Sequence, residues 1–365
     1  MYEYKYYYHY EFDVMHLLLQ LLLTLLQTFF FAQHGTRKRA LVDITNQDNL
    51  KRKKKSKSKD EFDIEIDLLI ETLNQEQIQE WVVDTIDISK RFKSYQQSVI
   101  MKFKNDSLSQ NDTYEILSLA SIIVLCKPCP YQTIFSDDEW NLVIEKSPFV
   151  IQGSIIPDTV STIVHNAARK QTINQDSYII ANKDPLCRSA AQIFNGLRQT
   201  LPMTSPVKTT EDEHCNKFLN VYINNVFTAQ KRYEVKFNCS LLESMQRPDF
   251  LCTIDDVPFL ISEIKPLGTS PLLKKNDFKK AHLRAKDAVN QQLNKKYGPG
   301  KVVLLINAGN SLKSFIMDQY NGMYRSWGYM TTKLATDIPD MSYIITIWNL
   351  IEYLHSTEVC GDSYK

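Results

Sequence analysis

Residues 247–265 read RPDFLCTIDDVPFLISEIK, and a proline follows at 266. Asp249 to Ile254 is an apolar, β-branched run, and so is Val257 to Pro266. Asp255-Asp256 stands between them, which is hairpin chemistry: two strands about a tight turn whose residues tolerate unusual backbone angles. With a turn of two or three residues, position 249 falls opposite 262 or 263. The carboxylates of Asp249 and Glu263 then come within cross-strand distance. Glu263 and Lys265 are two apart on one strand and share its face.

The flanking sequence extends this hairpin into a sheet domain. Thr210 caps a helix running to about Phe227, with Phe218, Val221, Tyr222 and Val226 on one side. Tyr233 to Asn238 reads as a strand. Asn276 to Lys296 reads as a basic amphipathic helix, with Phe278, Leu283, Val289 and Leu293 expected toward the core, and Gly298-Pro299-Gly300 ends it. Lys301 to Asn307 (KVVLLIN) suits a strand buried on both faces. Strands at 312–318 and 322–333 and a closing helix from about Asp340 to Leu354 complete the pattern. The expected order is αβββαβ with further strands: an α/β (α+β) fold, not a doubly wound nucleotide fold.

Two carboxylates and an ammonium on one sheet face are costly as structure and useful as chemistry. Hard oxygen ligands suit Mg²⁺ or Mn²⁺ and leave positions for water and a phosphate oxygen. A bound metal activates water and neutralises charge on the phosphate. A neighbouring lysine orients that water or stabilises the anionic transition state.

The pair Pro248-Asp249 and Glu263-Ile264-Lys265, set on strands two and three of this order, resembles the PD-(D/E)XK nuclease superfamily, which has a restriction-endonuclease-like core. The resemblance covers about residues 209–307. It implies Asp249, Glu263 and Lys265 as catalytic residues and Asp249 and Glu263 as metal ligands. An acid on the first helix completes the metal set: Glu213, with Glu211 as the alternative. It further implies metal-dependent hydrolysis of nucleic acid, DNA by expectation, with Mg²⁺ or Mn²⁺ as cofactor. Gln291 and Gln292 precede Tyr297 by six and five positions, which departs from the glutamine–tyrosine spacing of the RecB-like branch. The strand pair and the YRSWGY stretch at 324–329 are also similar to multicopy proteins of some fungal genomes.

From Lys274 to Lys296 there are eight Lys/Arg and two Asp. Lys274, Lys275, Lys279, Lys280, Arg284 and Lys286 are therefore the expected contacts to a phosphate backbone. The bland alternative is a solvated helix face.

The 365 residues carry a net charge of +1 and 43% apolar residues, a globular composition that excludes a uniformly basic coat and wholesale disorder. Seven scattered cysteines point to a reducing compartment. Cys126-Lys-Pro-Cys129 lacks the second ligand pair that a zinc site needs. No G-x-S-x-G, P-loop or G-x-G-x-x-G occurs, which disfavours serine-hydrolase and nucleotide-binding classes.

Three regions are expected: an apolar helix plus a basic tail over 1–60, a helical accessory domain over 61–205, and the nuclease-like domain over 206–365. Val14 to Ala32 approaches the length of a membrane span, with basic residues on its C-terminal side. The stretch from Arg37 to Lys59 holds ten Lys/Arg and two Asp, in keeping with nuclear import or an anionic partner. A nuclear or cytoplasmic location is expected, and a membrane-anchored protein with a cytosolic C-terminal domain is the alternative. Within 61–205, Asn74 to Ile88 has helical spacing, Asp112 starts a helix expected to run to Leu125, and Ser136 with Glu139 forms a capping box. A catalytically inactive nuclease fold that only binds is the competing function.

Overall fold

The computed structural model describes residues 59–75, 78–149, 158, 160–162, 185–228, 233–238, 247–294 and 300–340. The chain divides at Glu61/Phe62, and apart from the first three residues of the first helix everything below belongs to the unit from Phe62 onward.

The hairpin forms as its sequence dictates. Strand β5 (Phe250–Ile254) and strand β6 (Val257–Lys265) are antiparallel, with Phe250 opposite Ser262 and Ile254 opposite Val257. Asp255 and Asp256 both have positive φ, 50° and 61°, the backbone of a primed two-residue turn. Strand β4 (Tyr233–Phe237) adds to β5 antiparallel. Helix α7 (Pro271–Asn294) then crosses to strand β7 (Lys301–Ala308), which lies parallel to β6. Strands β8 (Ser311–Tyr320) and β9 (Met323–Lys333) follow as an antiparallel meander. The result is a seven-stranded mixed sheet of order β3-β9-β8-β7-β6-β5-β4, in which β3 is Ile122–Leu125.

Helices cover both faces. On one face, helix α5 (Pro185–Thr200) and the irregular helix α6 at residues 211–228 pack Phe194, Leu197, Phe218 and Tyr222 against Phe250, Cys252, Leu260 and Ile264. α6 alternates α and π turns, the first of its π turns spanning Cys215–Leu219. On the other face, α7 lays Ala281, Ala285, Ala288 and Val289 over Leu251, Ile261, Val302 and Leu304. Small residues let this helix lie close to the sheet. The expected apolar side of α7 is therefore turned: Leu293 is exposed, and Phe278 and Leu283 are only half-buried.

The region before 206 joins this same sheet rather than packing apart from it. Helix α1 (Lys59–Gln75), helix α2 (Ile88–Lys104) and helix α4 (Asp137–Glu145) form a third core with Trp81, Tyr131, Met323 and Trp327. α4 starts with the expected capping box. The helix expected from Asp112 to Leu125 instead stops as α3 (Thr113–Leu119). Ser121 has φ 56°, which ends the helix, and the β-branched run Ile122-Ile123-Val124 becomes β3, parallel to β9. Asp112 does not cap α3 through its side chain, which accepts from Ser109 N instead. The helix expected over 74–88 is replaced by a two-rung hairpin, Val82–Val83 (β1) with Ile86–Asp87 (β2), turning at Asp84 with φ 53°.

Among the described residues no helix is long and apolar enough to cross a membrane. The segment 14–32, the basic run 51–58 and the expected closing helix after 340 lie outside the described residues.

A buried histidine on the inner face of α7 makes stability pH-dependent. His282 is fully buried, its Nδ1–H donates to Phe278 O at 2.8 Å, and its ring packs on Phe278 and Phe315. Burial pushes its pKa down from 6.5 to about 4. The native state keeps it neutral while the unfolded chain takes up a proton below pH 6.5. Stability is thus full above that pH and is lost as pH falls toward 4, by roughly 3 kcal/mol in total. Urea unfolding of wild type at pH 7 and pH 4.5 is expected to show this loss, and His282→Phe is expected to reduce it.

Candidate active site

Asp249 immediately precedes β5, and continuing the register of that strand sets it opposite Glu263. Asp249, Glu263 and Lys265 therefore lie on the sheet face that α7 covers. Asp249 Oδ2 accepts the backbone N–H of Ile264 at 2.7 Å and lies 3.4 Å from Lys265 Nζ. That N–H bond locks the carboxylate to the neighbouring strand.

Lys265 gathers the acids. Its ammonium donates to Ile264 O at 2.9 Å and stands 3.4 Å from Asp249, 3.8 Å from Asp277 Oδ2 and 4.0 Å from Glu211 Oε2. The side chains of Lys265 and Asp249 are 16% and 17% exposed, open enough for a ligand to reach. Glu263 is more deeply set, at 4% exposure, and pairs with the Arg284 guanidinium from α7, itself 14% exposed. Burial holds the Arg284 pKa down, and the Asp249 charge partly offsets that.

A network that reaches across the sheet end holds the first-helix acid in place. Thr210 caps α6 by accepting from Glu213 N. Thr209 and Leu267 exchange backbone and side-chain bonds, tying the start of α6 to the loop after β6. His214, buried and neutral with its pKa lowered by burial, donates from Nε2 to Asn307 Oδ1 at 2.7 Å. Asn307 Nδ2 in turn donates to Gly309 O and Ser311 O. Gly309, with φ 66°, donates its N–H to Lys265 O at 2.8 Å. One chain of bonds thus fixes α6, the β7–β8 turn and the end of β6 relative to each other.

The expected residues divide clearly. Asp249 and Lys265 come together, and Glu263 shares their face but is held by Arg284. Glu213 does not join: its carboxylate bonds Lys217 Nζ at 2.7 Å on the outer side of the helix, and Glu211 is the acid that reaches Lys265. Both acids lie in the first turn of α6, and only its orientation separates them. Asp277 was not foreseen as a site residue. Arg284, expected on a nucleic-acid surface, is inside the site. Lys286 instead donates to Ala120 O and stands over the Tyr324 ring, outside the acid cluster. Lys279 is buried, whereas Lys275 and Lys280 are exposed and Lys274 is half-exposed. Cys215, one turn after Glu211, has its thiol pushed up to about 12, by burial first and then by Glu211 and Asp249, so it is no nucleophile at neutral pH.

Four carboxylates (Asp249, Glu263, Asp277 and Glu211) face two cations, Lys265 and Arg284. Lys280 also pairs with Asp277, and carboxylate oxygens as hard donors suit a divalent cation. As the side chains stand, Lys265 and Arg284 balance these acids, and among the described residues no three ligands are already grouped around a metal position. Compared with known protein families, with characterised proteins and with solved structures, the chain has no match.

Proposed function

We propose that this chain is a metal-dependent nuclease with a PD-(D/E)XK-type site on a restriction-endonuclease-like core, acting on nucleic acid and on DNA first. The observation that carries the reading is the juxtaposition of Asp249 and Lys265 across adjacent strands, with Glu263 on the same face. The order α6-β4-β5-β6-α7-β7, with β6 parallel to β7, supports it. Asp249 and Glu211 are the accessible oxygens for Mg²⁺ or Mn²⁺, with Glu263 available once it parts from Arg284. A cation held there supplies positive charge against the developing phosphate anion. Lys265, fixed by the Ile264 carbonyl and released from its acids, aligns the attacking water and donates a hydrogen bond to the phosphate.

The test is incubation of the full chain with plasmid, linear DNA, single-stranded DNA and RNA in Mg²⁺, Mn²⁺ or EDTA. Cleavage that needs the metal and is lost in Asp249→Ala is the expected result; no cleavage of any substrate by folded protein would sink the proposal. One observation favours a second reading: Arg284 already neutralises Glu263, as suits a nuclease fold kept for binding alone. That reading gives nucleic-acid binding without hydrolysis. A nuclear or cytoplasmic protein suits either reading.

A further inference from the structure

A groove of about 480 Å³ opens beside the site, lined by Tyr114 and Phe278 and rimmed by Lys274, Lys275 and Lys313. It adjoins the acid cluster on two sides. Ala308, on its wall, pairs with Lys265 across β6 and β7. Lys274 and Lys275 lie within one turn of Asp277 on α7. Other lysines of the site region are committed: Lys265, Lys217 and Lys280 to carboxylates, and Lys286 to a carbonyl and a tyrosine ring. The ammonium groups of Lys274, Lys275 and Lys313 have no such partner among the described residues. Of the two acids that line the groove, Glu115 pairs with Lys102, and Asp112, which accepts from Ser109 N, keeps its charge, so three lysines face one uncompensated acid. The groove therefore presents the exposed parts of two half-buried, mutually packed aromatic rings within a rim of net positive charge.

We infer that this groove receives one unpaired nucleotide of a single-stranded nucleic acid, next to the phosphate that is cut; the inference rests on the nuclease reading of the adjoining site. Three considerations carry it. The volume suits a single small ligand group, within the usual range for such pockets. Base faces stack on aromatic rings, and lysines track the phosphates on either side. A duplex keeps its bases stacked inward and could fill the groove only by flipping one out. Single strands and frayed ends are thus the substrate class, and the base rather than the phosphate alone contributes to binding.

Binding is tested on the full chain in EDTA, which separates it from cleavage. Fluorescence anisotropy would compare a twelve-nucleotide thymidine strand, an abasic strand of equal length, a matching duplex and free thymidine monophosphate as competitor. The thymidine strand is expected to bind at least about tenfold more tightly than either the abasic strand or the duplex. The monophosphate is expected to compete only weakly. In the triple variant Lys274→Ala/Lys275→Ala/Lys313→Ala, whose fold is checked by circular dichroism, affinity is expected to fall about tenfold or more. The slope of log affinity against log salt should lessen by about 2, as three lost phosphate contacts require. Equal binding of abasic and thymidine strands, duplex binding as tight as single-strand binding, or an unchanged triple variant would each overturn the inference. Any of these could occur while metal-dependent cleavage persists, and single-strand preference could hold while cleavage fails, so the two proposals are separable.

Discussion

Lys265→Ala is expected to lower kcat by about 10³-fold with KM little changed, the pattern of a donor that acts chiefly in the transition state. The expectation follows from placement. The ammonium is held by a carbonyl and surrounded by Asp249, Asp277 and Glu211, so on the proposed reading it needs no large search to meet a bound phosphate. Removing it also leaves three carboxylates facing one another, so a stability change accompanies the kinetic one. Lys265→Met, which keeps most of the stem and its packing, separates the two: a kcat as low as that of the alanine variant assigns the loss to the ammonium. Steady-state kinetics in Mg²⁺ would read it, and near-normal turnover in both folded variants would remove Lys265 from the chemistry.

Arg284→Ala is expected to destabilise the protein by about 3–5 kcal/mol. Glu263 is almost wholly buried, and loss of the guanidinium leaves its charge without compensation. The double variant Arg284→Met/Glu263→Gln is expected to recover most of that loss, because both charges are then gone from the interior. A double-mutant cycle followed by urea unfolding reads the coupling; an additive cycle would mean that the pair contributes nothing.

The hairpin was legible because each of its parts has a local cause. The apolar runs fix two strands, Asp255-Asp256 tolerates the positive φ of the turn, and the register then carries Asp249 to 262 or 263; the bulge between Cys252 and Thr253 selects Glu263. The strands from 301 to 333 were legible for the same reason. What failed needed orientation rather than periodicity. Ala281, Ala285 and Ala288 mark the inner stripe of α7, and Asp277 and Arg284 lie on it. The larger Phe278, Leu283 and Leu293 suggested a different face. Glu211 and Glu213 share one helical turn, so only the tertiary bonds through His214 and Asn307 decide between them. Strand β3 escaped notice because four apolar residues after a helix satisfy either period. Its partner β9, distant in sequence, makes it a strand.

That last pairing governs how the molecule is assembled. Ile122 meets Tyr324, about two hundred positions later, in a parallel ladder that no short turn can template. A chain emerging from the ribosome makes β3 early and must keep Ile122, Ile123 and Val124 from other partners until β9 arrives. The helices α1, α2 and α4 can gather first around Trp140 and Tyr131, but Met323 and Trp327 finish their core. Closure of the two halves is therefore a late, high-contact-order event, slow by the usual relation between topology and folding rate. Before it, the edge of β9 stands open to any other extended segment, so the interval before β3 docks is when this chain is most exposed to self-association.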